Sequence, residues 1–385
     1  MLSQVEESVK LRDSIRCALQ SQGFVVTDGT LNLPADLDKD TVRLLHQQAS
    51  EHAIVLARLA LEGREERLLR WIAHGNQVDP RQIRPVLVEV KKPESEEGCL
   101  FRYLSLHWSV PVSTGYGRRL RFLVVDEYNG KVMGIIGLGD PVFSLHDRDG
   151  YIGWTFADRR ERLRSVVDAF ILGAIPPYSY LLCGKLVAML ATSDEVRQRF
   201  ESKYQASVSL IRGRPGGTQV ALLTTTSALG RSSMYNRITF DGTLLYHPAG
   251  HTRGYGEFHF ANGLYSQMVQ YVNSHDHPTA KKASWGKGFR NRREVVRKCL
   301  KLLGLPHQWD LHGVRREIYV VPLASNFREF LRGETGVLQN LSLPAADLVS
   351  WFEERWLLRR LERDVRYRSF DPECYRLWPN GSDRS

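Results

Sequence analysis

The stretch from Arg121 to Ala191 constrains the fold of this chain more than any other segment. Two apolar segments, RLRFLVVD and VMGIIGLGDPVF, flank Asn129-Gly130, and an Asn-Gly pair between two apolar runs is a strong signal for a β-hairpin. VVDAFILGAIPPY then predicts a third strand, and SYLLCGKLVAMLA predicts an apolar helix. A hairpin, a strand and a helix off the end of that strand indicate an α/β core, with a ligand expected at the strand-to-helix turn.

The segments on either side of this core predict further elements. Apolar residues recur at helical spacing over Val5–Gln20 and Asp40–His74, and Asp38 or Asp40 can cap the second of these helices. Ile83–Pro93 alternates like a strand, PESEEG is typical of a polar loop, and Leu343–Glu362 predicts a C-terminal helix. The expected divisions are a helical N-terminal region at 1–78, an α/β core at 79–335 with a basic helix at 290–303, and a C-terminal helix and tail at 336–385.

Charge indicates an acidic partner. The 385 residues carry a net charge of +10, with a sequence pI near 9.4, and lysine and arginine supply much of the energy of nucleic-acid binding by neutralising phosphates. The five cysteines form no C-x-x-C pair, which argues against a disulfide framework or a structural zinc site. Without an apolar signal segment or a run of membrane length, we expect a cytoplasmic protein with no membrane contact.

The most basic window is Lys281–Lys301, where a loop with Trp285 leads into an amphipathic helix. Arg293 and Arg297 are four residues apart on one face of that helix. Aromatic rings interleaved with basic side chains suit base stacking together with phosphate contact, although a solvated helix face would show the same charge. The residues predicted to bind nucleic acid from this window are Trp285, Lys287, Arg290, Arg292, Arg293 and Arg297.

Two shorter segments add to that prediction. The Gly-rich loop ending in Arg118 and Arg119 can hold a phosphate through backbone N–H groups and guanidiniums, or is only a turn. From Thr224 to Arg237, hydroxyl side chains crowd a strand end, which suits a phosphate or an unstacked base, or is a turn that satisfies its own backbone. The residues predicted to bind nucleic acid from the second segment are Arg231, Tyr235, Asn236 and Arg237.

An enzymatic hypothesis depends on a few acids and bases. Asp168 lies near the start of the third strand, and Glu257 and His259 are two apart in a segment predicted to be a strand, so they would share a face. In a nuclease these three residues would be the acid, the base or metal ligands, with Arg231 as the electrophilic clamp. No metal-binding spacing is present, so we expect no cofactor, apart from a divalent metal if the protein is a nuclease.

The segments GYGRRLRFLV, IGLGDPVF, GWT, VVDAFILGAIPPYS, GKLVAMLA, TTTSALGRSSMYNR and RNRREVVRK…LLGL…REIYVVPL resemble the DruA family of Druantia anti-phage defence proteins. The likeness covers residues 83–332. It implies a role in bacterial anti-phage defence and, in some systems, a large helicase-like partner. It does not by itself imply a reaction.

The order of hairpin, strand and helix also resembles the GNAT acyltransferase core, which implies a GNAT-like mixed sheet. In that fold a Gly-rich loop, R/Q-x-x-G-x-G/A, binds the coenzyme A pyrophosphate through its amides. Here Pro176 and Pro177 offer no N–H, and Gly184 alone matches the expected pattern. Coenzyme A is therefore not expected as a ligand.

The leading hypothesis is an anti-phage defence protein that binds DNA through a basic surface, with processing of that DNA left open. The alternatives are a metal-dependent nuclease, a non-enzymatic adaptor for a defence helicase that is recruited through the N-terminal helices, and a degenerate GNAT-type acyltransferase.

Overall fold

The structure is a computed structural model that describes residues 2–27, 29–112, 117–207, 219–261, 263–275 and 289–379. Its α-helices are α1 (Leu2–Ser21), α2 (Lys39–Leu61), α3 (Glu65–Leu69), α4 (Glu96–Ser105), α5 (His146–Ile152), α6 (Phe156–Arg162), α7 (Cys183–Leu190), α8 (Asp194–Tyr204), α9 (Leu264–His275), α10 (Phe289–Leu302), α11 (Phe327–Leu331), α12 (Ala345–Phe352) and α13 (Leu358–Leu361). Its strands are β1 (Val25–Thr27), β2 (Thr30–Asn32), β3 (Pro85–Glu89), β4 (Arg119–Asp126), β5 (Lys131–Gly139), β6 (Val166–Ala174), β7 (Leu222–Thr226), β8 (Thr239–Phe240), β9 (Thr243–Leu244), β10 (His247–His251) and β11 (Glu317–Pro322).

A seven-stranded mixed sheet forms the centre, in the order β10-β11-β7-β6-β5-β4-β3. Neighbouring strands are antiparallel except for β6 and β7, which run parallel over Val166–Asp168 and Leu222–Thr224. Helices α7 and α8 make the crossover between these two strands, as a parallel pair requires. The expected α/β fold with flanking helices is confirmed.

The predicted hairpin is confirmed as β4 and β5, joined at the Asn-Gly turn. The Asn129 amide donates to the Tyr178 hydroxyl at 2.8 Å, and that hydroxyl donates to the buried Asp126 carboxylate at 2.9 Å. Asp126 also accepts a hydrogen bond from the backbone N–H of Arg84 at 2.9 Å. The turn after β6 is therefore bonded to the hairpin, and α7 begins only at Cys183, after a 3₁₀ turn at Tyr178–Leu181.

Alternation along the strands gives the sheet two covered faces. On one face, Phe122 and Ile136 pack in a cluster with residues of α7, α8 and α12. On the other, Leu123 and Ile135 pack beneath α3 and α4, whereas Val166 packs with residues of α5 and α11. This second face is covered by two separate clusters, and the polar centre described below faces it.

A helical module lies at the β10 side of the sheet. Ile15 of α1 and Leu45 of α2 share one buried cluster with Met268 of α9 and Cys299 of α10. The first helices of the chain are thus packed against the basic helix, which lies more than 200 residues later in the sequence. The division of the chain at residues 78 and 335 stays a prediction.

Three local expectations are wrong. The pattern over Asp40–His74 is not one helix, because α2 ends at Leu61 and a 3₁₀ turn separates it from α3. The run PESEEG is not all loop, since the Ser95 hydroxyl caps α4 by accepting from the N–H of Gly98 at 3.2 Å. Glu257 and His259 do not share a strand face, because a 3₁₀ turn forms at Phe258–Phe260.

The other helical predictions agree with the structure. Asp38 caps α2 by accepting from the N–H of Thr41 at 2.8 Å, and α10 corresponds to the predicted basic helix. The predicted C-terminal helix is formed by α12 and α13, joined by a π-helical turn at Glu353–Leu357. None of the described helices combines the length and the apolar character that a membrane span requires.

Candidate functional site

Helix α10 carries the predicted arginines, and acids from neighbouring segments meet them. Arg292 forms an ion pair with Glu257 at 2.7 Å. Arg293 and Arg297 share one carboxylate oxygen of Asp310, at 2.9 and 2.6 Å. Asp310 is buried, whereas the side chain of Arg297 is 52% exposed. The ion pairs therefore hold the arginines in place and still leave part of their positive charge in contact with solvent.

Two of these arginines lie over tyrosine rings. The Arg293 guanidinium is 4.3 Å from the ring centre of Tyr255, and the Arg292 guanidinium is 4.5 Å from that of Tyr265. Tyr255 is 46% exposed and pairs with the segment before β11 through a bridge to Leu311. We call Tyr255, Arg292, Arg293 and Arg297 the basic surface.

Three buried histidines lie in the helical module behind this surface. His259 is fully buried, and its Nε2 lies 2.8 Å from the carbonyl oxygen of Trp309, to which it donates. Burial lowers the pKa of His46 and of His259 to about 4 each, and that of His312 to about 2. Burial also raises the pKa of Glu257, against the opposing effect of Arg292.

The segment after β7 forms a turn that satisfies its own backbone. The Ser232 hydroxyl accepts from the N–H groups of Met234 and Tyr235, at 3.2 and 3.1 Å, and the Asn236 amide donates to the Ser232 carbonyl at 2.8 Å. The ring of Tyr235 is buried and stacks on Tyr246 with their centres 4.8 Å apart. In this position Tyr235 holds the turn against the sheet and offers no exposed ring face.

Arg231 and Arg237, by contrast, are exposed on the same turn, and neither has an ion-pair partner within the described part of the chain. Leu229 packs against the helical module, so Arg231 lies at the border between that module and the sheet. Burial and the charge of Arg237 lower the pKa of Lys185 to about 8.

The two arginines of the Gly-rich loop differ from each other. Arg118 is 7% exposed, pairs with Asp140 at 2.6 Å and donates to the carbonyl of Arg164 at 2.8 Å, which gives it a structural environment. Arg119 instead extends over the ring of Phe170, with 4.1 Å between guanidinium and ring centre. Residues 113–116 of that loop, residues 276–288 with Trp285 and Lys287, and the side chain of Arg290 lie outside what the structure describes.

Asp168 lies in a row of paired residues that crosses the sheet. Arg119 is opposite Gly139, Gly139 is opposite Asp168, and Asp168 is opposite Thr224. Paired residues of adjacent strands project to the same face, so Arg119, Asp168 and Thr224 share one face. The Thr224 hydroxyl donates to the Asp168 carboxylate at 2.8 Å.

Three arginines from different parts of the chain act on this acid. We call Asp168 and these three arginines the Asp168 centre. Burial raises the pKa of Asp168, and the positive charges of Arg148, Arg119 and Arg316 oppose that rise. Arg148 is fully buried and pairs with Asp149 at 2.6 Å. In the described part of the chain, no ion pair joins Asp168 to any of the three.

The predicted catalytic residues are held in different places. Glu257 is paired with Arg292, His259 is inside the helical module, and Asp168 is on the sheet. Among the described residues, no group of three or more histidine, cysteine, aspartate or glutamate side chains could hold a metal ion.

Sequence reasoning missed Tyr255, Arg148 and Arg316. Tyr255 stands in the motif RGYG, where an aromatic residue between glycines next to an arginine was an available signal. Arg148 and Arg316 are distant from Asp168 along the chain, and no local pattern connects them to it.

Comparisons with known proteins identify the family of this chain. The DruA family, described as Druantia protein DruA, matches residues 36–333 of the chain. The Druantia protein DruA of Escherichia coli (strain UMEA 4076-1) is 39% identical over 363 residues, which cover 93% of this chain and 89% of that protein. No solved structure matches. The match extends over the sheet, the Asp168 centre and the basic surface, and the chain therefore belongs to the DruA family of Druantia anti-phage defence proteins.

Proposed function

We propose that the protein acts in anti-phage defence by binding DNA through the basic surface and the adjacent turn that carries Arg231 and Arg237. The observation that carries this proposal is the stacking of Arg292 and Arg293 on Tyr265 and Tyr255, with Tyr255 open to solvent. Stacked guanidiniums lose little side-chain entropy when they contact a phosphate, and an exposed ring offers a face to an unstacked base.

The ion pairs of the basic surface hold its arginines in position and leave them able to contact an anionic partner. Glu257 forms an ion pair with one arginine of the surface and Asp310 with two. Arg297 nevertheless exposes half of its side chain. Within the part of the chain that the structure describes, Arg231 and Arg237 have no carboxylate to release before they contact a phosphate. Contacts of this kind add affinity that is independent of sequence and falls steeply with salt.

The test is fluorescence anisotropy of labelled duplex and single-stranded DNA over a series of salt concentrations. In the variant Arg231→Glu/Arg237→Glu, we expect affinity at low salt to fall at least tenfold and the slope against log salt to lose about 2, as for two lost phosphate contacts. Arg81→Glu is the matched control, because Arg81 is exposed just before β3, at the opposite edge of the sheet from β10. Binding that ignores salt, or an equal loss in the control, would contradict the proposal.

A specific observation also favours the adaptor hypothesis. The second half of α2 exposes an apolar stripe, with Leu59 100%, Leu56 69% and Val55 65% exposed. Exposed apolar side chains at helical spacing suit the groove of a partner protein. A helicase-like defence partner, which the family resemblance implied, is the partner that we propose for this stripe.

Mixing the purified protein with the helicase-like partner of its defence system tests the second candidate. Leu56→Ser/Leu59→Ser should abolish co-elution and leave DNA affinity unchanged, because the stripe carries no basic residue of the basic surface. Unchanged co-elution of this variant would remove α2 from the interface.

A further inference from the structure

The Asp168 centre contains two guanidiniums that form no ion pair with the described residues around them. Arg148 is neutralised by Asp149 and also donates to the carbonyl oxygens of Val142 and Phe143, at 2.9 and 3.3 Å. It is therefore a fixed structural cation.

Arg119 and Arg316 differ from Arg148 in this respect. The Arg119 Nε is buried and has no hydrogen-bond partner among the described residues. The guanidinium of Arg316 makes no hydrogen bond or ion pair with the residues that the structure describes, although its backbone N–H donates to Thr252 at 3.0 Å. Burial lowers the pKa of both side chains. Both residues are partly exposed, so a ligand can reach them, and a guanidinium that is partly withdrawn from water without an acceptor is suited to an anionic ligand.

Glycines in β5 make room for this arrangement. A Cβ atom added at Gly139 would lie 3.1 Å from Nη1 of Arg119, and one at Gly137 would lie 2.5 Å from the ring of Phe170. A side chain at position 139 would therefore crowd the Arg119 guanidinium, and one at position 137 would crowd the ring on which that guanidinium lies. Gly139 is also the residue that stands between Arg119 and Asp168 in the row of paired residues across the sheet.

We propose that the Asp168 centre binds a phosphate group between Arg119 and Arg316, with Asp168 as a hydrogen-bonding partner. The proposal rests on the proposed function, because a nucleic-acid strand or a nucleotide is the source of that phosphate. Guanidinium forks match phosphate oxygens in geometry, and two of them balance the charge of about −1.5 to −2 on a phosphate monoester. The raised pKa of Asp168 favours its protonated form, which donates to a phosphate oxygen where a carboxylate would repel it.

The rim of the centre indicates which phosphate it takes. Phe143 and Phe156 are 44% and 62% exposed, with ring centres 6.0 Å apart, and the Arg159 guanidinium lies 4.9 and 5.3 Å from the two rings. Arg148 connects this rim to the centre, since it donates to the Phe143 carbonyl while its charge acts on Asp168. A base joined to the bound phosphate can stack on these rings, which favours a nucleotide or a phosphorylated strand end over continuous duplex.

The experiment measures binding by calorimetry and by thermal unfolding, with inorganic phosphate, deoxyadenosine monophosphate, and one oligonucleotide with and without a 5′ phosphate. Wild type should be stabilised by phosphate and should bind the phosphorylated oligonucleotide more tightly than the unphosphorylated one. Arg119→Gln and Arg316→Gln should each weaken phosphate binding about tenfold or more, as expected for a lost charged hydrogen bond. Arg315→Gln is the matched control, because Arg315 is the exposed sequence neighbour of Arg316.

Several outcomes would overturn the proposal. The proposal is wrong if none of the phosphate compounds binds to or stabilises the wild-type protein. It is also wrong if they bind equally well to wild type and to both folded Gln variants. If a Gln variant does not fold, Arg119→Lys and Arg316→Lys replace it and should retain part of the affinity. Nucleotide binding no tighter than that of inorganic phosphate, or unchanged by Phe156→Ala, would overturn the role given to the rings.

This test separates the two proposals. Loss of duplex binding in Arg231→Glu/Arg237→Glu with an intact phosphate response supports both. A phosphate response without any duplex binding contradicts only the DNA-binding function, whereas duplex binding without a phosphate response contradicts only the Asp168 centre.

Discussion

The basic surface and the Asp168 centre hold their arginines in opposite ways. On the basic surface, Arg293 and Arg297 are partly exposed and share the carboxylate of Asp310. In the centre, Arg119 and Arg316 are partly withdrawn from water and form no ion pair with Asp168 or with any other described residue. The arginines from the most basic window of the sequence are therefore partly neutralised by acids in the fold. The arginines of the centre without an ion pair among the described residues, Arg119 and Arg316, come from segments outside that window.

This difference has an energetic meaning. The exposed parts of the basic-surface guanidiniums act mainly through long-range attraction, which salt screens. A buried cation without a partner is destabilising until a ligand supplies the opposite charge. We infer that the basic surface attracts the nucleic acid and that the Asp168 centre selects a phosphate on it.

Acid should have the largest effect, because it should open the helical module before the sheet. The folded-state pKa values of His46, His259 and His312, about 4, 4 and 2, lie below the unfolded value near 6.5. Their neutral forms are favoured in the folded protein, so this stability is present above about pH 6.5 and is lost as the pH falls towards 4. The loss should reach about 2 kcal/mol per histidine at pH 5.

Hydrogen exchange at pH 7 and pH 5 measures this prediction. Amides of α10 should lose protection at pH 5, while those of β6 keep it. The variant His46→Gln should reduce the pH dependence by removing one titrating group. Equal loss of protection in α10 and β6 would contradict a separate response of the module.

Substitution of Asp310 should have the next largest effect, with opposite signs on stability and on binding. Asp310→Asn removes a buried charge that two arginines share, and it should lower the free energy of unfolding by about 3 kcal/mol. DNA affinity at low salt should rise severalfold, because both guanidiniums are released. Urea unfolding and anisotropy measure the two effects.

Asp13→Asn is the control for net charge, since Asp13 is exposed on α1. It should leave stability unchanged and raise DNA affinity less than Asp310→Asn does. If both variants bind DNA equally, total charge rather than release of Arg293 and Arg297 determines affinity.

The smallest effect should come from Asp168→Asn, which should increase the stability of the folded protein, whereas Asp310→Asn should decrease it. The pKa of Asp168 is raised by burial, so the folded state favours the protonated acid, and this stability is lost as the pH rises through the folded pKa. Asparagine keeps an acceptor for the Thr224 hydroxyl and cannot ionise. The ligand-free variant should gain about 1 kcal/mol at pH 8.

Urea unfolding at pH 5 and pH 8 measures this gain, which should be smaller at pH 5, where the wild-type acid is closer to its protonated form. Asp147→Asn is not a suitable control, because Asp147 accepts from the backbone N–H of His251 at 2.7 Å. Asp241, exposed on the β8–β9 turn, provides the control Asp241→Asn. A variant Asp168→Asn that is less stable than wild type at pH 8 would show that the nearby arginines outweigh burial.

Much of the fold could be predicted from the sequence because it depends on neighbours along the chain. The Asn129-Gly130 turn, the cap at Asp38 and the amphipathic pattern of α10 each depend on residues within a few positions of one another. The predictions that failed did so where tertiary contacts decided between local options. His259, for example, is in a 3₁₀ turn because its ring packs in the core between Phe24, Phe258 and His312.

The sequence by itself determined the α/β class, the hairpin, the basic helix and, through its motifs, the DruA family. Only the tertiary structure decided which charges meet. Strand register places Arg119, Asp168 and Thr224 in one row, and Arg316, the residue before β11, acts on Asp168 from another strand connection. Pairing across a sheet depends on contacts between residues that are far apart in the chain, so no local pattern of charge or periodicity records it.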